Sequence, residues 1–184
     1  VKIHRVLTST VPVHGARRIG AMDRIGVIDT MFARYDMGAE VIDELEHCPG
    51  HGERFEVVRR TVPGFKDLAV AAKRLIEGES CRIVVALGMP GRAPIDKTCA
   101  HEASSGIMAA QLMTSTPILE VFVHEDEEDD PARLADVCRN RARSHARNAY
   151  WMLYEPDQLV ARAGRGVRQG YPDAGPLVRE RLSG

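Results

Sequence analysis

The chain has no excess of either charge, no paired cysteines and no long apolar run, and each shortage excludes something. Across 184 residues, 25 Lys and Arg face 26 Asp and Glu, a formal net charge of −1. That balance removes the polyanion attraction expected of a dedicated nucleic-acid binder. Cys48, Cys81, Cys99 and Cys138 form no CxxC pair. They read as reduced thiols of a cytoplasmic protein, neither a disulfide frame nor a zinc cluster. Apolar stretches such as Ile83 to Leu87 are far short of the ~20 residues of a membrane helix. The opening VKIHRVLTSTVPVHG is too interrupted for a secretory signal. GxGxxG, GxxxxGK[ST] and GxSxG are all missing, so no motif supports a nicotinamide, nucleoside-triphosphate or serine-hydrolase site.

What is present is an alternation of strand-like and helix-like segments. Residues 1 to about 21 show no sustained period and read as an extension, either a leader or an arm that contacts a neighbour. RIGVID (24–29) is short and β-branched, and DMGAEVIDELEH (36–47) sets Val41, Ile42 and Leu45 at helical spacing behind an Asp36 cap. RFEVVRRTV (54–62) is followed by the breakers Pro63 and Gly64, then by KDLAVAAKRLIEG, for which Gly78 is the expected stop. CRIVVALG (81–88) is a continuous apolar run, as in a strand buried on both faces. A helix over DKTCAHEASSGIMAAQLM follows it. PILEVFV (117–123) is the last strand, and Asp130-Pro131 open a long helix through Leu153. Four successive βα units predict one α/β domain over 22–155, with a four-stranded parallel sheet and helices on both faces in three layers. Residues 156–184, rich in Gly, Pro and Arg, read as an irregular tail suited to packing on a neighbouring subunit.

In such a sheet, ligands bind beyond the carboxyl ends of the strands, where loops and helix N-termini converge. Four segments fall there: Asp29-Thr30-Met31-Phe32, Thr61 to Asp67, Gly88 to Arg92, and His124-Glu125-Asp126. An aromatic, two Pro-Gly bends and ionisable groups on one edge suit a flat polar heterocycle with a hydroxylated arm. Each has a plainer reading: Phe32 as a core aromatic, the Pro-Gly pairs as turns, and the acidic run up to Asp130 as a helix-dipole partner. His101 and Glu102 open the third helix in either a structural or a catalytic role. His47, Cys48 and His51 resemble a metal cluster but flank Pro49-Gly50 and read as loop.

GVIDTMFARYDMGA, RRTVPGFKDLAVA, IVVALGMPGRAPIDKTCAHEASSGIMAAQLM, PILEVFVHEDE and GVRQGYPDAGP together resemble the archaeal type of riboflavin synthase, from about Asp23 to Pro176. That family is a structural cousin of lumazine synthase and unrelated to the trimeric β-barrel riboflavin synthase. The resemblance implies a flavodoxin-like, lumazine-synthase-like fold, a homopentamer with active sites between subunits, and a transferase reaction. Two molecules of 6,7-dimethyl-8-ribityllumazine dismutate to riboflavin and 5-amino-6-ribitylamino-2,4-pyrimidinedione. By position, Phe32 is expected to stack on the ring. Val62, Pro63, Gly64, Lys66 and Asp67 are expected to contact substrate, as are Gly88, Met89, Pro90 and Gly91. The C7 methyl of the lumazine is already acidic, so aligning two substrates supplies much of the rate and a modest base suffices. His101 or His124 is the candidate base, with Glu125 to orient or bind.

No organic cofactor is implied. The resembled family is associated with a divalent ion, and Asp126, Glu127 and Glu128 offer oxygen ligands suited to Mg²⁺, although no spacing demands it. Two alternatives stand. Lumazine synthases carry a His seven residues before the helix Glu corresponding to Glu102, where this chain has Ile95, yet Arg133 falls where they carry a phosphate-binding Arg. A non-catalytic flavin- or lumazine-binding protein would share most contacts. The catalytic reading requires the four strand ends to meet around a single cavity that holds paired pteridines.

Overall fold

The structure, a computed structural model, describes residues 22–177. The extension over 1–21 and the end of the tail, 178–184, lie outside the described residues. The elements alternate as expected: β1 (Asp23–Thr30), α1 (Met37–Glu46), β2 (Phe55–Val62), α2 (Phe65–Glu79), β3 (Cys81–Gly88), α3 (Pro94–Thr114), β4 (Ile118–Phe122), α4 (Pro131–Tyr154) and a single turn α5 (Asp157–Val160). The four strands form one sheet in the order β2-β1-β3-β4, with every pairing parallel.

Alternation along the strands divides the interior into two cores. Ile25 and Val27 of β1 join Ile83, Val85 and Leu87 of β3 under α1 and α4. Ile28, Val84 and Ala86 point to the other face, under α2 and α3. The two central strands are therefore covered on both sides, which is why they read as unbroken apolar runs. Gly26 allows α2 to sit close to the sheet: a Cβ there would meet Val84 Cγ2 at 3.0 Å and Leu75 Cδ1 at 3.1 Å.

The helix starts follow their caps. Asp36 accepts from the Ala39 N–H at 2.9 Å, and Asp130 accepts from the Arg133 N–H at 2.9 Å, with Pro131 as the first helical residue. The stop of α2 differs from expectation. The helix runs through Gly78 and ends at Ser80, which takes the left-handed conformation at φ 59° and donates its N–H to Leu75 O. Many helices end in that left-handed geometry, and a small polar residue reaches it at a modest cost when the hydrogen bond holds it.

The tail also departs from the simple reading. It contains α5, and the loop beyond folds back onto the chain's own α4 and the loop before it, where Gly170 N–H donates to Asn140 Oδ1 at 2.7 Å and Tyr171 OH donates to Glu127 at 2.8 Å. No described helix is long and apolar enough to cross a membrane.

Candidate active site

Pairing continues past the strand ends and lines up the outgoing loops. Met31 N–H donates to Val62 O at 2.9 Å, Val123 N–H to Gly88 O at 3.1 Å, and Glu125 N–H to Pro90 O at 2.9 Å. Charged pairs then brace the corners against each other: Lys66 with Glu102 at 2.6 Å, Arg92 with Asp129 at 2.9 Å, Arg34 with Glu125 at 3.4 Å, and Lys97 with Asp126. Lys66 holds the exposed Glu102 carboxyl below its usual range, and Lys97 does the same for Asp126.

The corners do not enclose one cavity within a single chain. A cavity of about 450 Å³ lies along the free edge of β4, between Lys97, His101 and Ser104 of α3, Glu120 and His124 of the strand and its exit, and Arg141 and His145 of α4. A second, of about 250 Å³, lies at the end of β1 among Asp29, Thr30, Arg34, Tyr35, Arg59 and Thr61. The expectation of a single shared cavity is corrected for a physical reason. β3 lies between β1 and β4 in the sheet, and its exit residues Met89 and Pro90 are themselves buried.

The candidate residues are distributed as follows. His101 and His124 line the β4-edge cavity together. His124 donates its backbone N–H to Glu127 Oε1 at 2.8 Å, while its Nδ1 is sealed without a partner. Glu125 stands outside that cavity, against Arg34. Phe32 is 70 % exposed and Met31 67 %, an open apolar step beside β1. Pro63, Lys66 and Asp67 are exposed, Val62 and Gly64 are partly buried, and Gly64 has open space around it. Gly88 has a packing reason of its own, because a Cβ would fall 2.8 Å from ring carbons of both Phe122 and Phe65. Gly91 lies against the Asp96 carboxylate, which accepts from the Ala93 N–H at 3.2 Å.

Five polar groups of the larger cavity escaped the sequence reading: Lys97, Ser104, Glu120, Arg141 and His145. Glu120 was the visible signal, a carboxylate interrupting PILEVFV, and Ser104 donates to it at 2.8 Å. Arg141 and His145 are four apart on α4 and so share a face. Arg141 donates from Nη1 to Phe122 O and Glu127 Oε1, both at 2.8 Å, and from Nη2 to Glu127 Oε2 at 2.6 Å. Burial pulls Glu127 upward, but Arg141, the His124 N–H and Tyr171 together hold it below the ordinary carboxylate range. Burial, helped by Arg141, pushes His145 down to about 4 and keeps it neutral.

The acidic loop does not present a metal site. Asp126 is paired with Lys97 and Glu127 with Arg141, and no group of three His, Cys, Asp or Glu among the described residues could hold one ion. These paired carboxylates do not fit a divalent cation.

An open cavity lined by the imidazoles of His101, His124 and His145, the Glu120 carboxylate and the braced Arg141 guanidinium, beside the carboxyl ends of a parallel sheet, makes a candidate small-molecule site on an α/β scaffold. The chain belongs to the 6,7-dimethyl-8-ribityllumazine synthase family, which matches residues 23–156. Its relatives include a protein of Methanothermobacter thermautotrophicus named riboflavin synthase, 60 % identical over 156 residues that cover 85 % of this chain and 100 % of that one. A riboflavin synthase of Archaeoglobus fulgidus is 43 % identical over 85 % of this chain and 99 % of its own length. A 6,7-dimethyl-8-ribityllumazine synthase of Thermus thermophilus is 40 % identical over only 37 % of this chain and 45 % of its own.

Proposed function

We propose that this chain is a riboflavin synthase, an enzyme of riboflavin biosynthesis that transfers a four-carbon unit between two molecules of 6,7-dimethyl-8-ribityllumazine. The products are riboflavin and 5-amino-6-ribitylamino-2,4-pyrimidinedione. The carrying observation is the end-to-end match to relatives of that name, 60 % identical over 100 % of one such protein. The site supports it. A base that removes a C7-methyl proton needs a neutral acceptor beside the ring, and His101 and His124 line one cavity with Glu120 and Ser104. Phe32 and Met31 offer an exposed apolar surface on which a pteridine can stack. The lumazine synthase reading has less support, since Ile95, 66 % exposed on the first turn of α3, cannot transfer a proton.

The assembly is proposed on separate grounds. Met108, Leu112 and Met113 on α3 are 55 %, 82 % and 72 % exposed, an apolar face suited to a second copy of the chain. A homopentamer with sites between copies would join the two cavities of neighbouring chains, which one chain keeps apart. Sedimentation of an active monomer would overturn this assembly.

Purified protein incubated with dimethylribityllumazine alone should develop riboflavin absorbance. A lumazine synthase would need a ketone phosphate as well, and a silent binder would show no product. His101→Ala or His124→Ala should lower turnover by roughly 10²–10⁴-fold if that imidazole is the base. If neither changes the rate, both are removed from the mechanism.

A further inference from the structure

The tail segment Gly166–Gly175 has an organisation that core packing does not explain. None of its residues is buried, and none joins either core. It is nevertheless closed on itself: Arg168 N–H donates to Asp173 Oδ1 at 2.9 Å, and Ala174 N–H donates to Gly166 O at 2.8 Å. Gly166, Gly170 and Gly175 take φ of 65°, 83° and 74°, values that side chains disfavour. Its contacts converge on one guanidinium. Gly170 N–H holds Asn140, the residue before Arg141, at 2.7 Å. A Cβ on Gly170 would stand 2.9 Å from Arg141 Nη2. The Tyr171 ring centroid lies 5.6 Å from Arg141 Cζ, and the Tyr171 hydroxyl donates to Glu127, the carboxylate that grips the same guanidinium.

We propose that this loop is part of the substrate site: Gly170 and Tyr171 are positioning residues that hold Arg141 as a fixed wall of the β4-edge cavity. The inference rests on reading that cavity as the place where lumazine binds. Glu127 cancels the charge of Arg141, so the pair presents no net cation to a reacting anion. Three of the five N–H donors of the guanidinium are spent on Phe122 O and Glu127, and its Nε–Nη2 edge lies against Gly170, so the loop and the carboxylate together fix the guanidinium where it lines the cavity. Such a wall aligns the ring and leaves proton transfer to other groups. Its loss therefore falls on binding.

The test compares glycines of the tail. Gly164 also has a positive φ, 77°, but a Cβ there meets nothing within 4 Å. Gly164→Ala thus strains the same segment without touching Arg141. In the full-length protein, Gly170→Ala should raise KM for dimethylribityllumazine roughly tenfold, with kcat within about a factor of two, since a side chain displaced by a fraction of an ångström misplaces the bound ring. Tyr171→Phe, which keeps the ring and deletes one hydrogen bond, should raise KM by a smaller factor, and Gly164→Ala should leave both constants alone. A fluorescence titration with the same lumazine gives Kd independently of turnover. If the wild type binds lumazine but makes no riboflavin, the dismutase reading falls, and the loop is judged on Kd alone. The proposal is overturned by a wild type that binds no lumazine, by unchanged KM and Kd in Gly170→Ala and Tyr171→Phe, by an equal loss in Gly164→Ala, or by a fall confined to kcat.

Discussion

Replacing Gly88 with alanine separates packing from substrate contact at the end of β3. The new Cβ would stand 2.8 Å from Cε1 of Phe122 and 2.8 Å from Cε1 of Phe65, where carbon atoms normally rest about 3.5–4.0 Å apart. Each ring must then retreat by roughly 0.7–1.2 Å. They lie 5.5 Å apart and tilted by 54°, so neither can move far without displacing other neighbours. Overpacking of this kind costs about 1–3 kcal/mol. In a chain of this size each kcal/mol lowers the melting midpoint by ~2–4 °C, so Gly88→Ala should melt roughly 2–12 °C below wild type. Phe65→Leu removes one of the opposing rings. The double variant should therefore lose less than the sum of the single losses, by about 1 kcal/mol. Urea denaturation at one fixed protein concentration measures all four species. Any loss of riboflavin formation left once stability is recovered belongs to the Gly88 backbone at the substrate. Unchanged midpoints in Gly88→Ala, or strict additivity in the double variant, would refute the steric argument.

Two further outcomes concern stability. His145 is pushed down to about 4 in the folded chain, against about 6.5 when unfolded. Between those values the unfolded chain binds a proton that the folded chain refuses, so this contribution is complete above about pH 6.5 and lost toward pH 4, by up to about 3 kcal/mol. His145→Gln should flatten the fall of the urea midpoint between pH 7 and 4, and an unaltered slope would remove His145 as its source. Asp130→Ala deletes the bond to the Arg133 N–H at the start of α4 and should cost about 1 kcal/mol, with Asp130→Asn recovering most of it. Equal midpoints for the Ala variant and wild type would show the cap to be idle.

Much of the fold was legible residue by residue. The apolar run of β3 announced a strand covered on both faces, Asp36 and Asp130-Pro131 marked helix starts, and the βα alternation implied parallel pairing. The stop of α2 was misread because Gly78 is the more permissive residue, while the hydrogen bond to Leu75 O forms at Ser80. Of the residues that line the β4-edge cavity, His101 and His124 were legible as candidates. Its other half was not, because Glu120, Arg141 and His145 become neighbours only where α3 and α4, which cover opposite faces of the sheet, both reach the open edge of β4.

Period, capping and strand-end chemistry are decided within a few residues of each position, so the amino-acid sequence alone determined the α/β alternation, the two-faced core and the family pattern. Strand order is a long-range outcome. By placing β4 at the edge and β3 between it and β1, the tertiary structure decided that the β4-edge cavity and the cavity at the end of β1 lie apart among the described residues. It also decided that a tail segment with no buried residue between 166 and 175 would find its place around Arg141, since the backbone geometry of Gly170 and the reach of Tyr171 have meaning only once α4 is there to receive them.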